Sequence, residues 1–238
     1  MNWTKDGKSP CVCHSRPNLD DVNGEETYEE VVCSKATPLE ILVALRSPTE
    51  KLEIKRLWLW SGYKSQISLP VGIFAKVRPS ELHVSSVESI EPHAFDEIAD
   101  RLMSLELHGE LNQTIDFNET AKLSNLRLPS LANSKVEALD LSFFVRMPFL
   151  KTLRLPNSGI RKISAQPGDF QLKQLEELDL HSNRLKHIDH SILRALPKLK
   201  TLNLANNRIG HFASTFFDEV PELEVLKLDD NTLQNSSA

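Results

Sequence analysis

Leucines recur in the last third of the chain on a fixed template. Leu175, Leu178 and Leu180 are followed by Asn183 and Leu185. Leu199, Leu202 and Leu204 are followed by Asn207 and Ile209, and Leu223, Leu226 and Leu228 by Asn231 and Leu233. The starts at 175, 199 and 223 are 24 residues apart. An apolar–polar–apolar triplet predicts a short strand with two side chains turned inward and one outward. Looser copies begin at Ile54, Val77, Leu102, Leu123 and Leu150, which makes eight starts spaced by 21 to 27 residues.

This template is the leucine-rich-repeat pattern. It predicts an α/β solenoid, a leucine-rich-repeat horseshoe with a parallel concave sheet. One repeat cannot bury its leucines alone, so neighbours stack, and residues such as Ile188, Leu193 and Leu196 close the return segment. Asn183, Asn207 and Asn231 are expected to form a ladder that bonds backbone groups where the chain turns inward. In the earlier copies the ladder position falls on Gly62, Ser85, Glu110, Leu131 and Ser158, so the first half is less regular.

The two ends differ. Residues 1–36, with Cys11, Cys13 and Cys33, resemble the cysteine-containing N-terminal cap of extracellular leucine-rich-repeat proteins, and the odd count leaves the pairing open. A reduced protein with three free thiols is the alternative. Residues 37–53 hold a helix and linker: Thr37-Pro38-Leu39-Glu40 is a capping box with proline at the first helical position. The helix is expected to run to about Leu45, stop before Pro48, and close the core with Leu39, Leu42 and Val43. The repeats fill 54–238 with no evident C-terminal cap, which leaves Leu226, Leu228 and Leu233 partly exposed. The expectation is a fragment of something longer, or an end that packs on a partner.

Composition narrows the function class. With 28 Lys and Arg against 33 Asp and Glu, the net charge is −5, so there is no overall basic footprint for nucleic acid or an anionic membrane. No apolar run reaches the ~18 to 20 residues of a membrane span. No apolar leader follows Met1, so an incomplete N-terminus is expected. Nucleophile elbows, zinc-protease motifs and phosphate-cradling glycine loops are missing, so no enzyme activity, cofactor or metal is expected. Sequons at Asn2, Asn112, Asn118 and Asn235 are glycosylation candidates.

Binding is therefore expected on the outward strand positions, with a protein or glycan ligand. One column runs Trp58, Glu81, Glu106, Arg127, Arg154, Asp179, Asn203 and Lys227. Its neighbour runs Trp60, His83, His108, Pro129, Pro156, His181, Ala205 and Asp229. Trp58 and Trp60 are the candidate anchors, unless both rings pack beneath the cap. Arg127 and Arg154 either pin an acidic group or pair with Glu106 and Asp179 across the sheet. His83 and His108 read as solvated side chains rather than metal ligands.

The start, Pro10-Cys11-Val12-Cys13 with Cys33-Ser34 and Leu42-Val43-Ala44-Leu45, resembles a family of secreted arthropod proteins. That family is named after the non-catalytic leucine-rich subunit of shrimp (Oplophorus) luciferin 2-monooxygenase. The resemblance implies a secreted accessory or binding protein whose cap cysteines form disulfides. It also implies a fourth cap cysteine, and none precedes Cys11. An accessory subunit of an oxidative complex and an adhesion or receptor ectodomain fragment are the alternatives to a free-standing binding module.

Overall fold

The computed structural model describes residues 10–14, 28–34, 36–61, 65–109, 122–165, 171–212 and 215–234. The chain divides into two compact units, Met1–Asn112 and Gln113–Ala238. The four sequon asparagines lie outside the described residues.

The first unit contains β1 (Cys11–His14), β2 (Tyr28–Ser34), helix α1 (Pro38–Arg46), β3 (Leu52–Trp60), β4 (Ile67–Leu69), β5 (Val77–Ser85), β6 (Val87–Ile90) and β7 (Ser104–His108). β1 runs antiparallel to β2, and β2, β3, β5 and β7 continue as parallel neighbours. β4 and β6 form a separate parallel pair on the return side. Cys11 and Cys33 face each other across β1 and β2 and form a disulfide. Cys13 stays free and half-buried, and desolvation pushes its thiol up to about 11.

Helix α1 starts as its capping box dictates. The Thr37 hydroxyl accepts from the Glu40 amide, and the Glu40 carboxylate accepts from the Thr37 amide at 2.7 Å. The buried face differs from expectation. Ile41, Ala44 and Leu45 are buried, whereas Leu39 and Val43 are 69% and 61% exposed. Residues at i, i+3 and i+4 share a helix face, and this helix has two apolar candidates for that face. The one set by Ile41 takes the core.

Strand register corrects two repeat starts. Leu57 pairs with Leu82 and Leu59 with Val84, and these pair onward with Leu105 and Leu107. The second copy therefore begins at Pro79, not at Val77. Val77 is buried, but it extends the strand and pairs with Leu52. Pro79 is buried at the first inner position, and the Ser80 hydroxyl donates to the Lys55 carbonyl at 3.0 Å.

The second unit contains β8 (Leu128–Ala132), β9 (Ala138–Asp140), β10 (Thr152–Arg154), β11 (Lys162–Ser164), β12 (Glu177–Asp179), β13 (Thr201–Asn203) and β14 (Val225–Lys227). β8, β10, β12, β13 and β14 pair in parallel in that order, and β9 pairs with β11. Arg154 lies beside Ser130. The copy read from Leu123 therefore begins at Leu126, with Pro129 and Leu131 as its buried pair. Leu128, expected inside, is 46% exposed. With starts at 54, 79 and 102 in one unit and 126, 150, 175, 199 and 223 in the other, spacing within each unit narrows to 23–25 residues.

An independent backbone feature fixes the same phase. Ser86, Asn133, Asn157, Ser182, Asn206 and Asp230 all have φ between 51° and 63°. Each stands seven residues after its corrected start. Left-handed backbone is tolerated best by short polar side chains that bond locally, and all six are Ser, Asn or Asp. The next residue is the ladder position. There the Asn207 side chain accepts from the Leu185 amide and donates to the carbonyls of Leu180 and Leu204, each at 3.0 Å. Asn183 and Asn231 repeat the arrangement. The ladder positions expected at Ser85 and Leu131 fall instead on Val87 and Ser134. Ser134 is fully buried, and its hydroxyl donates to the Leu131 carbonyl.

Candidate functional site

Alternation along β3, β5 and β7 turns Leu57, Leu59, Leu82, Val84, Leu105 and Leu107 into the core and the intervening side chains outward. The register sets those outward residues in three rows across the strands: Glu30–Arg56–Glu81–Ser104, Val32–Trp58–His83–Glu106, and Ser34–Trp60–Ser85–His108. Trp58 thus neighbours His83 rather than Glu81, and Trp60 neighbours Ser85. The two-residue correction in β5 causes both changes.

Trp58 is held from two sides. Its indole stacks on His83 with centroids 3.9 Å apart and planes at 11°. Its Nε1 donates to Glu30 Oε1 at 2.8 Å. Glu30 comes from the cap strand, so the disulfide-tied hairpin supports one edge of this face. Both tryptophans remain open, Trp58 at 38% and Trp60 at 43% exposure. They do not pack beneath the cap.

Glu106 gathers the two histidines from different rows. Its Oε2 lies 2.6 Å from His83 Nδ1 and its Oε1 2.6 Å from His108 Nε2. Partial desolvation raises its carboxyl pKa, but hydrogen bonds and charge from His108 and His83 outweigh this and hold it below the usual carboxylate range. The continuous chain Glu30–Trp58–His83–Glu106–His108 preorganises one ring face, two carboxylates and two imidazoles on rigid strands. Such a surface can offer stacking and directional hydrogen bonds to a ligand. Among the described residues no cluster of three or more His, Cys, Asp or Glu is arranged to hold a metal.

The second unit's candidates do not form a comparable cluster. Arg127 precedes β8, with its guanidinium 5.7 Å from the Phe149 ring centroid. Ser130 occupies the place beside Arg154, so the two arginines are not row neighbours. Arg154 pairs with Glu177 through bonds of 2.8 and 3.0 Å, and Asp179 turns to His181 at 2.7 Å. Cross-strand pairing thus engages Arg154, but with a diagonal partner. Glu30 escaped the sequence reading because nothing in a cap segment states its register against the first repeat.

The stacked strands, left-handed turns and asparagine ladder define a leucine-rich-repeat fold. A leucine-rich-repeat family model matches residues 173–233. Among solved structures, the TLR13–ssRNA13 complex matches over 87% of this chain and 29% of its own, at 21% identity and a TM-score of 0.65. The Drosophila Toll–Spatzle complex matches over 76% and 28%, at 19% identity and a TM-score of 0.53. The likeness is one of fold, and the chain spans less than a third of either structure's length. No curated protein matches. Among the described residues no helix is long and apolar enough to cross a membrane.

Proposed function

We propose that the chain is a non-enzymatic recognition module that binds a protein or glycan ligand on the outward face of β3, β5 and β7. The observation that carries this reading is the pair of open tryptophans on β3, one clamped between Glu30 and His83. Rigid aromatic anchors ordered before binding lose little conformational entropy when a ligand arrives. Glu81, Glu106 and His108 supply polar contacts at the margin of this first-unit face. The two solved structures described above are complexes with a ligand, which supports binding as the function class. The Cys11–Cys33 disulfide supports an extracellular setting. Secretion, glycosylation, a packing partner at the C-terminal repeat and the accessory-subunit alternative rest on the sequence reading alone.

The test is quantitative capture from extracellular fluid on immobilised wild-type chain, W58A/W60A and R127Q/R154Q, with folding checked by circular dichroism. A ligand retained by wild type and R127Q/R154Q but reduced about tenfold or more on W58A/W60A supports the assignment. Equal retention on all three would remove the tryptophan face as the site.

A further inference from the structure

The second unit carries a cationic cavity away from any residue assigned above. It measures about 370 Å³, and its lining among the described residues is Arg161, Arg184, Lys186 and Arg208. The fold places these four by its own period. Just beyond the ladder position, Ile160, Leu185 and Ile209 are fully buried, so the residues on either side of each point outward. The three rows are Gly159 and Arg161, Arg184 and Lys186, Arg208 and Gly210. Backbone bonds hold them in step: the Arg184 amide donates to Ile160, the Arg208 amide to Leu185, and the Gly210 amide to Lys186.

All four cationic side chains are exposed, and the only carboxylate in ion-pair range among the described residues is Glu137, 3.8 Å from Arg161. Among the described residues, Arg184, Lys186 and Arg208 have no ion pair. In a chain of net charge −5, three adjacent repeats thus gather four cationic side chains around one concavity, three of them without an ion pair among the described residues. Gly159 and Gly210 complete the first and last rows without a side chain. A β-carbon at Gly159 would meet nothing within 4 Å, and one at Gly210 would come no nearer than 4.0 Å to the Thr232 carbonyl.

We propose that this cavity binds the sulfate groups of a sulfated polysaccharide. Guanidinium groups match tetrahedral oxyanions through paired N–H donors, and rows at the ~5 Å strand spacing can meet successive anionic groups of an extended chain. Single-stranded nucleic acid is disfavoured because no described aromatic side chain lines the cavity to stack a base. The choice of a glycan over an intracellular polyanion rests on the extracellular reading. The site itself is independent of the tryptophan face.

The test is calorimetric titration of the full chain with a heparin hexasaccharide, beside its fully desulfated counterpart, a single-stranded RNA of matched charge, and phosphatidylserine vesicles. The proposal expects saturable binding of the sulfated hexasaccharide that is tighter than to any other probe. R184Q/K186Q/R208Q should weaken it by about tenfold or more, as loss of charge-assisted hydrogen bonds demands. G210E, which sets a carboxylate beside Lys186, should weaken it in the same direction, and W58A/W60A should leave it within about twofold. Undiminished affinity in both cavity variants overturns the site. Equal binding of the desulfated glycan, or tighter binding of RNA or vesicles, overturns the ligand. Loss in W58A/W60A alone moves glycan binding to the tryptophan face, and that result would sink this proposal while sustaining the previous one.

Discussion

The two units solve the same packing problem with different hydrogen bonds. In Gln113–Ala238, strands after β8 are three residues long, and the ladder asparagines supply what such short strands lack. Each buried amide ties two repeats together. In Met1–Asn112, β3 and β5 are nine residues long and pair along most of their length. The ladder position after β5 holds Val87, whose side chain has no polar group to give. Longer strands also display more outward side chains per repeat, and the stacked Trp58–His83 face sits there. The regular repeats are tied together from within by side-chain amides, and the irregular ones by longer backbone pairing.

The contrast is sharpest for Asn207→Ala, which leaves the buried Leu185 amide without its acceptor, while the Leu180 and Leu204 carbonyls keep the Asn183 and Asn231 amides. The expected loss is about 3 kcal/mol. All three tryptophans lie in Met1–Asn112, so their fluorescence follows the first unit while far-ultraviolet circular dichroism follows both. A loss below about 1 kcal/mol by urea denaturation would show that the ladder is dispensable. Gly109→Ala strikes the other unit, because a β-carbon there would stand 2.3 Å from the Val87 carbonyl oxygen and 2.4 Å from its nitrogen. Backbone must move, and about 3 kcal/mol should be lost, read as a lower midpoint of tryptophan fluorescence.

Removing the Cys11–Cys33 bridge by C11S/C33S opens a 22-residue separation and should cost about 2–3 kcal/mol. Cys13 should react with alkylating reagents at pH 8 about a hundredfold more slowly than an exposed thiol, because burial suppresses its thiolate. Rapid labelling of folded protein would contradict that placement. The smallest effect concerns Glu106. Its folded carboxyl pKa is depressed, so its contribution is present above the unfolded value of about 4.3 and disappears as pH falls through the folded one. Solvent exposure keeps this well under about 1 kcal/mol, and E106Q should abolish that part of the acid-side decline in stability.

The legible parts of the chain were those where one residue type does one job. Three aligned leucine–asparagine copies yield the second unit's register directly, and Thr37 and Glu40 mark the start of α1 to the residue. Where two residues competed for an inner site, composition misled. Val77 and Leu128 are more apolar than the inner residues Pro79 and Pro129, so hydrophobicity alone slips the phase by two and three positions. Ser86 and Asn133, short polar residues before the ladder site, held the missing clue. The tryptophan face was legible in its anchors and illegible in its supports, since Glu30 reaches Trp58 only through cap pairing. The cationic cavity escaped because charge was summed over the chain rather than down the columns after the ladder.

Every ladder asparagine accepts from a backbone amide one repeat behind it: Asn183 from Ile160, Asn207 from Leu185, Asn231 from Ile209. The bonding therefore has a direction along the axis. Releasing a later repeat strips protection from the one before it, whereas releasing an earlier repeat leaves the later asparagine bonded to carbonyls of its own turn. Native-state hydrogen exchange should register this as vectorial fraying, with the amide of Ile209 exchanging before Leu185 and Leu185 before Ile160.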